Sequence, residues 1–184
     1  MLQPREAVEI PDVGPVEWAP MAPYWTVFWR SGVTLARELN GTELRGLRVV
    51  ELGCGLGVPS IAAARAGATV LATDASAEAL TLLARNARAD GVSLETAQVD
   101  WGKPDELLGR GPFDLVLAAD LLYERVNVGL LLKLLPLLGP RVWLADPGRP
   151  AAEIFLEQAA RSWSIETSVH DDVVNIHRLR LAPA

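Results

Sequence analysis

The chain has 184 residues, of which 50% are hydrophobic and 22% are charged, so its composition supports a folded core and excludes general disorder. Its net charge is −6 and no two basic residues are adjacent, which argues against a nucleic-acid partner. No apolar run is long enough to cross a membrane, so a membrane partner is not expected.

Two units are predicted along the chain. Residues 1–22 carry Pro4, Pro11, Pro15 and Pro20 and are typical of an extended N-terminal arm, whereas residues 23–184 are predicted to form one domain. The N-terminal sequence has no apolar segment of signal-peptide length, and we expect a cytoplasmic protein that acts as a monomer. Cys54 is the one cysteine, which excludes an intrachain disulfide and a cysteine zinc cluster, and we expect no bound metal.

Helical periodicity begins at Tyr24 and ends at Leu39, where Asn40-Gly41 is a stop signal. Strands and helices then alternate. Strands are predicted at 47–52, 69–74, 92–99, 113–120, 141–146, 164–170 and 173–181, and helices at 58–66, 76–90, 130–138 and 151–162. The first five strands predict a mostly parallel sheet with helices on both faces, and the last two predict a C-terminal antiparallel hairpin. The fold class is therefore α/β.

The sequence VVELGCGLGVPS, residues 49–60, joins the first predicted strand to the helix that follows, and it has glycines at positions 53, 55 and 57. Ligands of open α/β sheets bind beyond the carboxyl ends of the strands, so a close approach of a ligand to this backbone is expected. The dinucleotide pattern G-x-G-x-x-G would need a glycine at Val58. The phosphate-binding loop pattern G-x-x-x-x-G-K-S/T is also absent.

Carboxylates follow the first three predicted strands. Glu51 would repel a pyrophosphate, but it suits the ammonium and sulfonium of S-adenosyl-L-methionine. Asp74 ends the second strand, where a carboxylate commonly accepts hydrogen bonds from ribose hydroxyls. Asp100 follows the third strand, within reach of an adenine amine. This set favours S-adenosyl-L-methionine as the cofactor over NAD.

The motifs ELGCGLG, TDAS and AADLLYE resemble those of the seven-strand class I methyltransferases, which implies a Rossmann-like sheet. YWTVFW with Ser31-Gly32, and the D-x-x-Y of Asp120 to Tyr123, resemble the protein lysine methyltransferase branch. ADPGRP, residues 145–150, is similar to the members that modify the electron transfer flavoprotein β-subunit. The resemblance covers residues 23–181, with Arg30 standing where the branch often has proline.

The resemblance also implies the roles of individual residues. Asp120 and Tyr123 would border the methyl acceptor, with Asp120 orienting the amine and Tyr123 shaping a lysine channel or donating a hydrogen bond. A carboxylate by itself favours the charged ammonium, so the proton is expected to leave to solvent or through a water. The expected cofactor contacts are Trp29, Glu51, Gly53, Gly55, Gly57, Asp74, Asp100, Trp101 and Ala119.

Other interpretations of these residues stay open. In the alternative interpretations, Asp120 caps the following helix, and Tyr123 is an aromatic residue at the rim of the site without a role in the reaction. Trp25 and Trp29 are four residues apart, which is as typical of core packing on one helix face as of a ligand contact. The loop from Asp146 to Arg149 is either a plain turn or part of a substrate site. Trp143, Trp163 and His177 are predicted to be structural, and residues 170–172 to form a turn.

Four functions are compatible with the sequence. The leading interpretation is a methyltransferase that acts on a lysine of a protein substrate. The second is a methyltransferase for a small amine or a heteroaromatic nitrogen, supported by the short chain. A non-catalytic cofactor-binding module and an NAD oxidoreductase are the remaining two.

Overall fold

The computed structural model describes residues 1–2 and 24–182, so the predicted arm, residues 1–22, lies outside the described residues apart from Met1 and Leu2. The described part is built on one seven-stranded sheet with the strand order β3-β2-β1-β4-β5-β7-β6. The first five strands are parallel, and the last two form an antiparallel hairpin whose β7 pairs with β5. The strands are β1 (Arg48–Leu52), β2 (Thr69–Asp74), β3 (Glu95–Gln98), β4 (Leu115–Ala119), β5 (Arg141–Asp146), β6 (Trp163–His170) and β7 (Val174–Leu181).

Helices cover both faces of this sheet, which confirms the predicted Rossmann-like α/β fold with its C-terminal hairpin. One face packs against α1, α2 and α3, and the other packs against α4, α5 and α6. Within the described residues, none of the helices has the length and apolarity to cross a bilayer. The helices are α1 (Arg30–Leu39), α2 (Val58–Arg65), α3 (Ala77–Ala89), α4 (Asp105–Gly109), α5 (Arg125–Leu138) and α6 (Pro150–Ala159), preceded by a short 3-10 turn (Tyr24–Thr26).

Local signals explain several of these boundaries. The Ser76 hydroxyl accepts a hydrogen bond from the Ala79 N–H at 3.2 Å and caps α3 as predicted. Gly67 and Gly91 follow α2 and α3 with φ of +94° and +73°, the left-handed conformation that commonly ends a helix. β4 is apolar throughout because both of its faces are covered by helices.

The predicted helix from Tyr24 to Leu39 is wrong over its first third. The 3-10 turn ends at Thr26, and Trp29 is extended, with φ −69° and ψ 135°, so that α1 begins only at Arg30. The indole N–H of Trp29 donates to the Tyr24 carbonyl at 2.9 Å and holds this bend closed. Trp25 and Trp29 therefore do not share a helix face.

Three other predictions, those of α5, β3 and α6, differ from the structure in their boundaries, and α6 spans Pro150–Ala159 instead of 151–162. α5 begins at Arg125 rather than Leu130, because its first turn alternates polar residues with valines, one of them exposed, and so lacks a clear apolar stripe. β3 is limited to Glu95–Gln98 instead of 92–99, and the short α4 was not predicted. The first turn of α5, the ends of β3 and the short α4 have few apolar residues each, and hydrophobic periodicity is weak there.

The strand order reverses at β1, which pairs with β2 on one side and with β4 on the other. Adjacent parallel strands end at the same edge, as the pairing of Leu52 with Ala118 and of Ala119 with Ala145 illustrates. Loops that diverge from such a switch point leave a crevice at the carboxyl ends of the strands. The topology therefore places the loops after β1, β2, β4 and β5 around one opening.

Candidate functional site

A cavity of about 490 Å³ lies at this edge of the sheet, a size that suits a small-molecule ligand. Its wall combines the loops that follow the strands with the segment that precedes α1. All the residues predicted for the site line this cavity except Gly57: Trp29, Glu51, Gly53, Gly55, Asp74, Asp100, Trp101, Ala119, Asp120 and Tyr123. The sequence motifs are thus brought to one place, while the role of each residue stays a prediction.

The charged lining of the cavity is mostly negative. Among the described residues, four carboxylates (Glu51, Asp74, Asp100 and Asp120) and one guanidinium, that of Arg149, contribute to the wall. An excess of carboxylates attracts cations and disfavours a pyrophosphate. The electrostatics therefore favour a ligand that carries positive charge.

Glu51 is the most deeply buried of these carboxyl groups, with 1% of its surface exposed. Its Oε2 accepts hydrogen bonds from the Ser60 N–H at 2.8 Å and from the Ser60 hydroxyl. Burial and, to a smaller extent, the nearby Asp74 charge together raise the pKa of Glu51 to about 8, against the opposing effect of the Ser60 hydrogen bonds. A cation bound beside Glu51 would favour its ionised form.

Asp74 connects two of the loops around the cavity. Its Oδ2 accepts a hydrogen bond from the Gly55 N–H, and its Oδ1 accepts one from the Ser76 N–H, both at 2.9 Å. A carboxylate has about four lone-pair sites, so Asp74 keeps capacity to accept further hydrogen bonds from a ligand. The side chain both fixes the glycine loop and presents an acceptor at the cavity.

The three glycines of the loop after β1 have φ of +58°, +49° and +76°, the left-handed conformation that favours glycine. A Cβ added at Gly53 would lie 2.6 Å from Leu121 Cδ2, and one at Gly57 would lie 2.3 Å from Leu83 Cδ1. At these two positions the chain's own leucines lie close to the glycine backbone, and the approach of a ligand stays a prediction. Gly57 lies behind the cavity wall, at the start of α2.

We expect Gly57→Ala to lower the free energy of unfolding by about 2 kcal/mol or more. A residue with a side chain costs roughly 1–2 kcal/mol in the left-handed conformation, and the collision with Leu83 adds to that cost. Urea denaturation of the two proteins measures the difference. Gly109→Ala is the matched control, because Gly109 is exposed with open space around it; equal losses in both variants would contradict the prediction.

Asp120 follows β4 with a φ of +58°, an uncommon conformation for a residue other than glycine. Its Oδ1 pairs with the Arg149 guanidinium, whereas its buried Oδ2 has no hydrogen-bond partner among the described residues. Burial raises the pKa of Asp120, and Arg149 opposes that rise. The Ser31 hydroxyl lies near enough to lower this pKa as well, although Ser31 Oγ and Asp120 Oδ2 do not form a hydrogen bond of normal geometry.

The alternative interpretation that Asp120 caps the helix after β4 is wrong. That helix, α5, begins after Glu124, which occupies the N-cap position without a capping side-chain hydrogen bond. Asp120 instead faces the residues that follow β5, the neighbouring strand.

Arg149 is the residue whose role the sequence left open. The Asp146 Oδ1 accepts hydrogen bonds from the N–H groups of Gly148 and Arg149, each at 2.7 Å, and shapes the turn. The Arg149 Nη1 lies 3.4 Å from the Asp146 Oδ2, and its guanidinium carbon lies 5.9 Å from the centre of the Trp29 ring. The pairing of β4 with β5 places Asp120 beside Arg149, and the order of strands is the signal that would have found it.

Aromatic side chains form another part of the wall. The rings of Tyr24 and Tyr123 are 5.6 Å apart between centroids, and Tyr123 is 47% exposed at the opening. Partial burial raises the pKa of Tyr123, and the Glu124 charge raises it further, so the phenol stays protonated and able to donate a hydrogen bond. Trp101 lies in the turn after β3, with its ring beside Gly53.

The residues predicted to be structural lie away from the cavity. Trp163 is buried, and half-buried Trp143 stacks with the Arg178 guanidinium at 4.8 Å. His177 is buried, and its Nδ1 lies 2.8 Å from the Thr167 hydroxyl oxygen. The turn predicted at residues 170–172 lies at 171–173, between β6 and β7, because His170 is the last residue of β6.

Comparisons with known proteins agree on one class of protein. Residues 24–141 match a family described as lysine methyltransferase. The electron transfer flavoprotein β-subunit lysine methyltransferase of Xenopus laevis is 34% identical over 73% of this chain, which spans 56% of that protein's length. The protein N-lysine methyltransferase METTL21A of Danio rerio is 31% identical over 84% of this chain and 75% of its own length.

Solved structures share the same architecture. The ribosomal protein L11 methylase of Lactobacillus delbrueckii subsp. bulgaricus has a TM-score of 0.64 and 26% identity, covering 84% of this chain and 81% of its own. The magnesium protoporphyrin IX methyltransferase of Synechocystis PCC 6803, solved with bound SAH, has a TM-score of 0.62 and 21% identity, with coverage of 81% and 80%. The second likeness concerns the fold alone.

Proposed function

Because the chain belongs to the lysine methyltransferase family, we propose that it transfers methyl groups from S-adenosyl-L-methionine to a lysine side chain of a protein substrate. The observation that carries this proposal is the position of Asp120. It lies in the wall of a predominantly negative cavity and retains an oxygen with no hydrogen-bond partner among the described residues. Buried polar atoms without partners are rare, and a bound amine would satisfy this one.

The cavity fits the cofactor by charge and by hydrogen-bonding capacity. Glu51 suits the cationic methionine end, and Asp74 has free acceptor sites for ribose hydroxyls. When bound, S-adenosyl-L-methionine supplies a methyl group that passes to the lone pair of the amine nitrogen, while the carbon–sulfur bond breaks and its electrons stay on sulfur. The remaining proposed contacts are Trp29, Gly53, Gly55, Asp100, Trp101 and Ala119, with Gly57 holding the loop through its packing on Leu83.

The acceptor side of the cavity is assigned to Asp120 and Tyr123. Asp120 accepts a hydrogen bond from the amine and fixes its direction, and the Tyr123 hydroxyl borders the lysine channel. The lysine ammonium, whose ordinary pKa is about 10.4, releases one proton to solvent before transfer. The protein's contribution is thus alignment of the amine and exclusion of water.

The substrate to test first is the β-subunit of the electron transfer flavoprotein. The support is the DPGR sequence together with the similarity to the Xenopus laevis enzyme of that name. The chain is incubated with methyl-labelled cofactor and either this purified flavoprotein or a total protein extract. The label in methyllysine is then quantified after acid hydrolysis of the protein. Label in methyllysine of a protein band supports the proposal, whereas label confined to small molecules or no transfer contradicts it.

We expect S-adenosylhomocysteine at about 100 times its dissociation constant to raise the melting temperature by roughly 5–10 °C. Ligand binding to the folded state at that ratio contributes about 2.7 kcal/mol, and one kcal/mol moves the melting temperature of a chain of this size by about 2–4 °C. Differential scanning fluorimetry measures the shift. NAD⁺ at the same concentration is the control, and a larger shift with NAD⁺ would favour the oxidoreductase interpretation.

The cellular setting also belongs to this proposal. A lone buried cysteine fits a reducing compartment, which supports the cytoplasmic location expected from the sequence. We infer a protein partner and neither a nucleic-acid nor a membrane partner, since the overall charge is negative, and we keep the expectation of a monomer.

A further inference from the structure

Three side chains form a compact ionic group at the acceptor side of the cavity. The Arg149 guanidinium pairs with the Asp120 Oδ1 and lies 3.4 Å from the Asp146 Oδ2. The side chains of Arg149, Asp120 and Asp146 are 17%, 6% and 1% exposed. Charges this far from solvent are weakly screened, so the group acts on anything that binds beside it.

This group bears on a chemical difficulty of the proposed reaction. A carboxylate that accepts a hydrogen bond from the lysine amine also stabilises the ammonium, which has no lone pair to react. An isolated Asp120 would therefore orient the amine while raising the pKa of that same amine. A cation paired with the carboxylate would remove this conflict.

We propose that Arg149 is a positioning residue that neutralises Asp120, so that the carboxylate orients a lysine amine without holding it as an ammonium. The inference rests on the proposed function. The guanidinium Nη1 holds the Asp120 Oδ1 through a charge-assisted hydrogen bond and leaves Oδ2 for the amine. The turn made by Asp146 and the ring of Trp29 fix the guanidinium in its own position.

Removing Arg149 acts in one direction whichever state Asp120 adopts. If Asp120 stays ionised, its unbalanced charge raises the pKa of the amine. If burial makes Asp120 protonate, the carboxyl donates a hydrogen bond to the lone pair of the amine and blocks it. Activity then begins only at the higher pH at which Asp120 ionises. In both cases the acid limb of the pH–rate profile moves to higher pH. The other titratable groups of this region are present in every variant: Glu51, Asp74, Asp100, Tyr24, Tyr123 and Glu124. Asp146 also loses its contact with Arg149, which raises the pKa of Asp146 as well and acts on the amine in the same direction.

The test measures kcat/KM of Arg149→Met and of the unaltered chain from about pH 6 to pH 10. The substrate is the protein that the unaltered chain methylates in the labelling experiment. At pH 7 we expect a loss of about 100-fold in kcat/KM. About tenfold of it comes from an upward shift of the acid limb by about one unit and disappears towards pH 10, and the rest comes from the misaligned amine and persists. Arg149→Lys, which keeps the charge but not the fork of donors, recovers part of the rate. Arg161→Met removes an exposed arginine outside the cavity and serves as the control.

A double variant separates charge balance from loss of packing. In Asp120→Asn/Arg149→Met the charges of Asp120 and Arg149 are both gone and Asp146 is the one carboxyl left of this group, so the acid limb is expected to return towards its original pH although the rate stays low. An independent readout needs no cofactor: carboxyl ¹³C NMR titration is expected to give a higher pKa for Asp120 in Arg149→Met than in the unaltered chain. Affinity for S-adenosylhomocysteine, measured by calorimetry, should change by less than about twofold.

The outcomes distinguish this inference from the proposed function. If the unaltered chain methylates no lysine, the proposed function fails. If it does, and Arg149→Met loses the same fraction of activity at every pH with an unchanged Asp120 pKa, the positioning role is overturned. A gain of activity in Arg149→Met would also overturn it, since Arg149 would then block the site.

Discussion

Glu51→Gln is expected to weaken S-adenosyl-L-methionine binding by about 100-fold, the loss of roughly 2–3 kcal/mol typical of removing one partner from a buried charge pair. Glutamine keeps the oxygen that accepts the two Ser60 hydrogen bonds, so the loop after β1 should stay in place. What the variant removes is the negative charge beside the proposed cationic end of the ligand.

The pH dependence identifies the charge as the cause. Because the pKa of Glu51 is raised to about 8 without a ligand, a bound cation must displace a proton at neutral pH. Affinity should therefore rise by up to about tenfold per unit between pH 6 and pH 8 and level off above that, while Glu51→Gln shows no such rise. Titration calorimetry in buffers of different ionisation enthalpy measures the released proton, and a flat profile in both proteins would contradict the assignment.

Glu51→Gln is also expected to stabilise the ligand-free protein at alkaline pH. The pKa of Glu51 is about 8 in the folded chain against an ordinary 4.5, so the folded state holds a proton that the unfolded state has released between these values. The free energy of unfolding then falls as pH rises from about 4.5 to about 8 and is constant above. The difference from Glu51→Gln should grow to several kcal/mol by pH 8, since each pKa unit corresponds to about 1.4 kcal/mol.

Urea denaturation at pH 5 and pH 8 measures this gain. The control is Glu157→Gln on the exposed side of α6, which should leave the free energy of unfolding within about 0.5 kcal/mol of the unaltered chain at both pH values. A Glu51→Gln protein that is less stable than the unaltered chain at pH 8 would show that the buried carboxyl is held in its charged form. Stability gained together with affinity lost is the behaviour expected of a ligand-binding group.

The sequence predicted the fold well because its alternation of strand and helix signals is strong where both faces of the sheet are buried. β1, β2, β4 and β5 were predicted to within a residue or two, and the hairpin followed from the absence of a helix between the last strands. The glycine loop and the carboxylates at strand ends also located the edge that holds the cavity. Both inferences use information that is local along the chain.

Most of the features that were missed depend on contacts between distant segments, and one depends on a local side-chain hydrogen bond. The residues near Asp120 in the sequence predict neither its left-handed backbone nor its pairing with Arg149. The pairing follows from the side-by-side arrangement of β4 and β5. The bend at Trp29 is held by a hydrogen bond to Tyr24 within an apolar pattern that favours a continuous helix. The need for glycine at 57 arises from Leu83 on another helix.

Asp120→Asn is expected to lower kcat by about 100-fold or more at neutral pH, while S-adenosylhomocysteine binding stays within about twofold. Asparagine is the substitution of choice because it tolerates the φ of +58° better than other residues, whereas alanine would add backbone strain. The amide keeps the size of the side chain but loses the charge, and Arg149 retains its contact with Asp146. The loss of kcat therefore measures the role of the carboxylate in orienting the amine, and not a change in the fold.

Asp172→Asn is the matched control for this measurement, since Asp172 has a φ of +56° in the turn between β6 and β7, outside the cavity. If Asp120→Asn and Asp172→Asn have the same free energy of unfolding, the replacement of aspartate by asparagine is tolerated at such a φ. Under the alignment argument, Asp120→Asn should then reduce kcat far more than it raises KM, because a misdirected amine still binds. Full turnover by Asp120→Asn would remove Asp120 from the reaction, and the acceptor would have to be oriented by Tyr123 alone.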